Sequence, residues 1–186
     1  GMVHQHFMLA PSLNVAENMI MGIKKKKMGF IDYNKAIQIC EEVSKKYNLI
    51  IDPKAKVQDL SVGFKQKIEI LKALLRGAEI LILDEPTAVL TPQETEELFV
   101  QLKKLREDGH TIIFISHKLK EIKALCDRVT ILRQGKSMGQ YEVNELSEKD
   151  ISRLMVGRDV ILKVDKEKAA PKEVVLKVRN LVVRNN

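Results

Sequence analysis

Two adjacent carboxylates follow directly on an apolar run near the middle of the chain. Residues 80–83 are all aliphatic, and Asp84 and Glu85 come next. A continuous aliphatic run predicts a strand buried on both faces, as in a parallel sheet covered by helices. Carboxylates are costly inside a core, so both should lie just beyond the strand's carboxyl end, where open α/β sheets bind ligands. One carboxylate can hold Mg²⁺ while the other acts on a water; the alternative is a core strand that ends in an acidic turn.

A second group of candidate residues lies at the predicted start of a helix. Ser61, Val62 and Gly63 follow Leu60 and precede an amphipathic stretch. A hydroxyl, a glycine and free backbone N–H groups at a helix N-terminus can bind an anion such as a phosphate. The alternative is an ordinary serine N-cap without a ligand.

Single polar residues follow two further predicted strands. His117 comes directly after the apolar residues 111–115, and Gln5 ends a short strand at the start of the sequence. Taken alone, His117 fits a surface or hydrogen-bonded histidine, and Gln5 carries no functional information. Their value depends on whether the fold brings them to the two carboxylates.

The predicted elements alternate between helices and strands. Helices are predicted for residues 33–47, 61–76, 92–108, 118–125 and 147–155. Strands are predicted for residues 1–7, 80–83, 111–115 and 174–183, with a hairpin formed by residues 129–132 and 137–141. This alternation predicts an α/β fold with a mostly parallel sheet, and residues 9–60 form a helical insertion beside it.

Composition limits the possible classes of protein. The chain has 186 residues, 45% of them hydrophobic and 31% charged, as in an ordinary globular domain. Its net charge of +7 fits an anionic partner, whether nucleotide, nucleic acid or membrane surface. Cys40 and Cys126 are the only cysteines, so neither a disulfide framework nor a zinc-binding spacing is expected.

The ordered set of motifs resembles one protein family. Gln5, residues 60–63, residues 80–86 and His117 resemble the Q-loop, signature, Walker B strand and switch histidine of ABC-type ATPases. Further stretches resemble bacterial importers of simple sugars and nucleosides, in which one polypeptide carries two ATPase domains; these are residues 3–9, 85–94 and 155–158. The resemblance implies a P-loop NTPase-like α/β core with a mostly parallel sheet and an α-helical subdomain.

The same resemblance implies a role for each candidate residue. Asp84 would hold Mg²⁺, and Gln5 would help to coordinate the metal and the attacking water. Glu85 would polarise or deprotonate that water, and His117 would contact the γ-phosphate of ATP. The residues implied to bind nucleotide held by an opposite ATPase domain are Ser61, Val62, Gly63 and Gln66.

The resemblance also divides the chain. Residues 1–8 would end the Q-loop strand, residues 9–76 would form the helical subdomain, and residues 77–160 would complete the ATPase core. Residues 161–173 would be a linker, and residues 174–186 would begin a second ATPase domain. Both ends are therefore expected to be cut from a longer chain, with the N-terminal part of the fold missing.

One expected motif does not occur in the sequence. No G-x-x-x-x-G-K-[ST] pattern, the loop that cradles nucleotide phosphates, is found in these 186 residues. We therefore expect this chain alone to bind ATP and Mg²⁺ weakly or not at all.

The resemblance implies a set of partners and a location. The partners would be transmembrane permease subunits, the second ATPase domain and, indirectly, an extracytoplasmic substrate-binding lipoprotein. The location would be the cytoplasmic face of the cell membrane, and no nucleic-acid partner is expected. Two alternatives remain open: a soluble ABC-type ATPase that acts on nucleic acid in translation or repair, and a non-catalytic interaction module in which Asp84 and Glu85 are structural.

Overall fold

The computed structural model describes residues 1–23, 32–158 and 176–182. The strands are β1 Met2–Val3, β2 Ile80–Asp84, β3 Thr111–Ile115, β4 Arg128–Arg133 and β5 Lys136–Glu142. The helices are α1 Val15–Ile20, α2 Tyr33–Lys46, α3 Val62–Leu75, α4 Pro92–Glu107, α5 Leu119–Leu125 and α6 Glu148–Val156. The predicted helices and the predicted hairpin are thus confirmed to within a few residues.

Three strands form a parallel sheet in the order β1–β2–β3. Ile82 of β2 lies beside Met2 of β1 on one side and Ile113 of β3 on the other. Because the strands are parallel, all three carboxyl ends meet at one edge of the sheet. The antiparallel pair β4–β5 forms a separate sheet, closed by a turn in which Gln134 and Gly135 both have positive φ.

Local capping signals determine where the helices begin. Thr91 accepts a hydrogen bond from the backbone N–H of Glu94, whose side chain accepts from the Thr91 N–H, and Pro92 occupies the first turn of α4. This arrangement satisfies N–H groups that a helix start otherwise leaves unpaired. The same capping box starts α1 at Asn14 and α6 at Ser147.

One hydrophobic core joins the helical subdomain to the sheet. Met19 of α1 and Leu71 of α3 are fully buried in the same cluster as Val3, Leu81 and Leu83 of the sheet. Helix α3 packs on β1, and α4 packs on β3. The carboxyl edge of the sheet therefore rests on elements whose burial holds them in place.

The prediction that the strands are buried on both faces is wrong. Leu81 and Leu83 are fully buried, but Ile80 is 51% exposed, Ile113 is 46% exposed and Ile115 is 44% exposed. Ile113 and Ile115 line a groove of about 730 Å³ between β3 and β4, so this face of β3 is open to solvent, and Ile80 is exposed at the start of β2. Among the described residues, β3 pairs only with β2.

The first strand is shorter than predicted, and an anchored loop follows it. β1 ends at Val3 rather than at residue 7. The Lys72 ammonium donates to the Met8 carbonyl at 2.9 Å and pairs with Glu69 at 3.1 Å. Asn18, 1% exposed, accepts from the Ala10 N–H at 2.8 Å. These buried contacts hold the far end of the loop that carries Gln5.

Several predictions concern the chain outside the main body. The predicted linker, residues 161–173, lies outside the described residues. Residues 176–182 have no strand, contrary to the strand pattern there, and their large side chains are exposed. The assignment of residues 174–186 to a second domain stays a prediction. No helix within the described parts of the chain has the length and apolar character needed to cross a membrane.

Candidate functional site

The carboxyl edge of the sheet brings two of the predicted site residues into contact. β2 ends at Asp84 beside Ile115, the last residue of β3, and the Glu85 N–H donates to the Ile115 carbonyl at 3.0 Å. Glu85 Oε1 then lies 2.7 Å from His117 Nδ1. We refer to Glu85 and His117 as the edge pair.

The edge pair combines a strained backbone with an unsatisfied oxygen. Glu85 has φ of +46°, in the left-handed region that a non-glycine residue rarely occupies. Its Oε1 contacts His117, but its Oε2 is buried and lacks a hydrogen-bond partner among the residues that the structure describes. An ionised carboxylate can only accept hydrogen bonds, so the histidine tautomer that fits this contact has its proton on Nδ1 and leaves Nε2 for another partner. His117 is 71% exposed and can reach a ligand from solvent.

Gln5 and Asp84 lie at the same edge as the edge pair. Gln5 follows β1 by two residues, and the register of Val3 with Leu83 places the end of β1 beside the end of β2. The Gln5 side chain is exposed, and Asp84 is half-buried. The structure therefore brings all four predicted residues of this group to one edge, with the Glu85–His117 contact as the only direct hydrogen bond among them in the described residues.

The predicted anion site at the start of α3 is occupied by a carboxylate of the protein itself. Ser61 is the N-cap residue, but its hydroxyl donates to Glu94 Oε1 at 3.3 Å instead of capping α3. A Cβ added at Gly63 would lie 2.7 Å from the same Glu94 oxygen. The carboxylate of Glu94 therefore lies against the backbone at Gly63, where a larger residue would require the Glu94 side chain to shift. We refer to Ser61, Gly63 and Glu94 as the helix-start cluster.

Hydrogen bonds stabilise the charged form of Glu94. The backbone N–H of Thr91 lowers the pKa of the Glu94 carboxyl most strongly, with further lowering by the Thr91 hydroxyl, the Gly63 N–H and the Ser61 hydroxyl. Partial desolvation opposes this lowering of the pKa. Within the helix-start cluster, Ser61 and the backbone at Gly63 thus contact a carboxylate of the same molecule, and binding of a phosphate there stays a prediction.

Gln66 lies deeper than a surface contact residue. It is 3% exposed and lines a cavity of about 440 Å³ between α3 and α4, together with Ser61 and Gly63. Across the described chain, its Nε2 has no hydrogen-bond partner, and neither does Oε1 of Gln101 on the same cavity wall. Val62, the fourth predicted nucleotide-binding residue, is half-buried in the first turn of α3.

The two cysteine side chains are poor nucleophiles. Burial raises the pKa of the Cys40 thiol to about 11, and burial also raises the pKa of Cys126. Neither thiol is a thiolate at neutral pH, so neither is a ready nucleophile. In the described part of the chain, no group of three or more His, Cys, Asp or Glu side chains could hold a metal ion.

Mg²⁺ nevertheless fits the sheet edge. Mg²⁺ is usually bound by one or two carboxylates together with substrate phosphates and waters, not by a complete protein cage. Asp84 supplies a half-buried carboxylate at the end of β2, and the exposed Gln5 supplies an amide oxygen just beyond the neighbouring end of β1. These oxygen donors match the preference of the ion.

Sequence reasoning missed a set of side chains that connects the two loops of the edge pair. These are Thr87, Ser116, Lys118 and Glu121. Lys118 and Glu121 are three residues apart directly after His117, which predicts a local ion pair. The contact of Glu121 with Thr87 spans 34 residues, and no local pattern in the sequence predicts it. The same holds for the contact of Glu94 with Ser61, which spans 33 residues.

The fold and the sheet edge together define a P-loop NTPase-like α/β protein. A metal-chelate-type ABC transporter in an inward-facing conformation matches with a TM-score of 0.71 and 20% identity over 84% of this chain and 63% of that chain. A dimeric ATP-binding cassette bound to ADP and phosphate matches with a TM-score of 0.61 and 27% identity over 77% of this chain and 62% of that one.

Sequence comparison identifies the family within this class. The ABC transporter family model matches residues 1–88. The chain belongs to the ABC transporter family of ATP-binding proteins. It is 46% identical to the nucleoside import ATP-binding protein NupA of Lactococcus lactis and 49% identical to the guanosine import ATP-binding protein NupO of Bacillus subtilis. Each match covers 100% of this chain but only 37% and 36% of those relatives, so the chain spans little more than a third of their length.

Proposed function

We propose that the chain is part of the ATP-hydrolysing, energy-coupling subunit of an ABC importer for simple sugars or nucleosides. The observation that carries the proposal is the 2.7 Å contact between Glu85 and His117 at the edge where Asp84 and Gln5 also lie. The names of the relatives, which import nucleosides, guanosine, glucose and ribose, support the class of cargo.

Glu85 would act on the attacking water. Its buried Oε2 lacks a partner, so it can accept a hydrogen bond from a water placed at the sheet edge. The contact of Oε1 with His117 fixes the orientation of the carboxylate, because a planar group held at one oxygen directs the other. Orienting a water for in-line attack is a recurring contribution of protein side chains to phosphoryl transfer.

Asp84 and Gln5 would hold Mg²⁺, which when bound neutralises charge on the phosphates. Asp84 can offer a carboxylate oxygen and Gln5 an amide oxygen from neighbouring strands of the same edge. His117 would direct Nε2 at the γ-phosphate, because Nδ1 is held by Glu85. A hydrogen bond there stabilises charge as the phosphoryl group transfers.

The helix-start cluster would complete the site of an opposing ATPase domain. Ser61 and Gly63 would bind the γ-phosphate of nucleotide held by that domain, and Val62 and Gln66 would support them. We further propose that permease subunits, a second ATPase domain and, indirectly, a substrate-binding lipoprotein are the partners, at the cytoplasmic face of the membrane. The +7 charge fits an anionic membrane surface.

A chimera tests the proposal directly. These residues replace the matching third of the Bacillus subtilis guanosine import protein, to which the chain is 49% identical over 185 residues. We expect ATP hydrolysis and nucleoside uptake in the chimera, and a loss of hydrolysis of about 100-fold or more in the Glu85→Gln variant. Unchanged hydrolysis in that variant would favour the non-catalytic module, and salt-dependent RNA binding would favour the nucleic-acid ATPase.

The isolated chain provides the complementary measurement. Because these residues contain no phosphate-binding loop, we expect millimolar MgATP to leave the unfolding temperature unchanged. A rise of several degrees would show that the sheet edge and α3 bind nucleotide without that loop.

A further inference from the structure

A buried threonine lies between the two loops that carry the edge pair. Thr87 follows Glu85 by two residues and is fully buried. Its hydroxyl donates to Glu121 Oε2 at 2.6 Å and accepts from the Lys118 ammonium at 3.2 Å. The same ammonium donates to the Thr87 carbonyl at 2.9 Å, so one lysine contacts both the side chain and the backbone of Thr87.

The second loop is connected through the same carboxylate. Ser116 precedes His117, and its hydroxyl donates to Glu121 Oε2 at 3.3 Å. The Ser116 hydroxyl also accepts from the Lys118 N–H at 3.1 Å, and Lys118 pairs with Glu121 Oε1 at 3.1 Å. Thr87, Ser116, Lys118 and Glu121 are called the Thr87 network below.

The Thr87 network is closed and internally satisfied. Glu121, with 12% of its side chain exposed, accepts from two hydroxyls and one ammonium, so its charge is compensated on every side. A fully satisfied polar network in a poorly solvated place specifies one geometry, because any displacement leaves a buried group unpaired. This rigidity acts on the backbone immediately beside Glu85 and His117.

Glu85 needs such support. Its left-handed backbone is unfavourable for a side chain with a Cβ and persists only when the surroundings impose it. The turn after Glu85 contributes a hydrogen bond from the Ala88 N–H to the Glu85 carbonyl at 3.1 Å. The Thr87 network provides the connection from this turn to the loop of His117.

We propose that Thr87, with Glu121 and Lys118, is the positioning device that sets the distance between Glu85 and His117. The network links the residue two positions after the carboxylate to the residue one position after the histidine. The two side chains thus meet because their backbones are connected behind them. The importance of this distance for catalysis rests on the proposed function. The control of the Glu85–His117 distance by Thr87 does not, because it applies to the chain without nucleotide.

The test measures the contact of the edge pair itself in the 186-residue chain. Glu85→Gln changes the ¹⁵Nδ1 chemical shift of His117, because it replaces a charged acceptor with a neutral amide. We compare the size of this change in three backgrounds: the parent chain, Thr87→Val and Thr87→Ser. Valine keeps the shape of threonine but removes the hydroxyl, and serine keeps the hydroxyl. Glu121→Gln provides a second, independent disruption of the same network.

The expected result is a coupling that depends on the hydroxyl. The shift change caused by Glu85→Gln should fall at least about twofold in the Thr87→Val and Glu121→Gln backgrounds and be retained with Thr87→Ser. An equal shift change in every background would overturn the proposal, even if the variants lost stability, because a purely structural network would leave the edge pair in contact. If Thr87→Val did not fold, the Glu121→Gln result alone would decide.

Failure of this proposal is distinguishable from failure of the proposed function. The chemical-shift measurement needs no nucleotide and no second domain. An inactive chimera with the expected hydroxyl-dependent coupling would contradict the ATPase assignment but leave the positioning role intact. An active chimera without the coupling would contradict the positioning role but leave the ATPase assignment intact.

Discussion

The edge pair and the helix-start cluster are both predicted to contact a nucleotide triphosphate, the first at this chain's own sheet edge and the second in an opposing domain, yet the structure satisfies their polar groups differently. At the edge pair, Glu85 keeps a buried oxygen without a partner and a strained backbone. At the helix-start cluster, the donors that should receive a phosphate already contact the Glu94 carboxylate. The first region offers an unsatisfied group to a ligand, whereas the second must give up an internal contact to bind one.

The difference suggests a division of roles. An unpartnered buried acceptor costs stability that binding of a water would recover, which fits the catalytic role proposed for the edge pair. A self-occupied anion site costs nothing while empty of ligand, and it binds an external phosphate only when Glu94 moves. Glu85→Gln and Glu94→Gln contrast the two regions directly, and the other substitutions below perturb the helix-start cluster and its surroundings.

The largest expected contrast is between Glu85→Gln and Glu94→Gln in the chimera. The first should lower kcat by about 100-fold or more, because it removes the carboxylate that is proposed to act on the water. The second should leave kcat within about threefold of the parent and lower the KM for ATP, since the competing charge is gone. Steady-state hydrolysis measures both. Equal losses in the two variants would mean that Glu94 takes part in the reaction.

A smaller effect is expected on stability from the cap of α4. Thr91→Ala removes the hydroxyl that accepts from the Glu94 N–H at 3.2 Å, and we expect a loss of about 1 kcal/mol in the free energy of unfolding. Urea denaturation measures it. Ser147→Ala at the equivalent cap of α6 is the matched control and should cost a similar amount. A much larger loss for Thr91→Ala would show that the helix-start cluster depends on this cap.

The unpartnered amide near the helix-start cluster should be dispensable for folding. Gln66→Met removes a buried donor that has no partner, so the free energy of unfolding should stay within about 0.5 kcal/mol of the parent. Thermal and urea unfolding measure the change. A loss above about 2 kcal/mol would mean that Gln66 has a hydrogen-bond partner after all.

The smallest expected effect is electrostatic. Ser61→Ala should raise the pKa of the Glu94 carboxyl slightly toward its ordinary value, since one hydrogen bond to the charged form is lost. Because folding lowers this pKa, the contribution of Glu94 to stability is present above the ordinary glutamate pKa and is lost as the pH falls through the folded pKa. Side-chain ¹³C titration measures it, with Asp150 as the control.

Asp150 is a suitable control because its carboxylate also accepts hydrogen bonds from its own N-cap residue, but from no α3 residue that the structure describes. The Ser147 hydroxyl and backbone N–H lower the pKa of the Asp150 carboxyl, just as Thr91 lowers that of Glu94. Ser61→Ala should not affect Asp150. A parallel shift of both carboxyls would indicate a general change in the protein and not a local contact.

Local signals in the sequence predicted the elements well, and tertiary contacts account for what was missed. Three helix starts were predicted from their N-cap residues, because a cap involves residues only three positions apart; these residues are Thr91, Ser147 and Asp32. The ends of β2 and β3 predicted where the edge pair lies, since parallel strands share an edge.

The missed features all depend on distant residues. The carboxylate at the helix start comes from Glu94, 33 residues after Ser61, and no periodicity reports on that distance. The exposure of Ile113 and Ile115 was also unpredictable, because the sequence of an apolar strand does not show whether another element packs on its second face.

The backbone at Glu85 has a consequence for how this gene can change over time. A left-handed conformation penalises most side chains, so a glutamate at position 85 is kept at a cost in backbone energy. If Glu85 acts on the water as proposed, loss of hydrolysis removes the reason to keep it, and glycine or asparagine at this position relieves the strain without altering the fold. Descendants without hydrolysis should then accumulate these two residues at this codon ahead of all others, and position 85 would record whether a lineage still hydrolyses ATP.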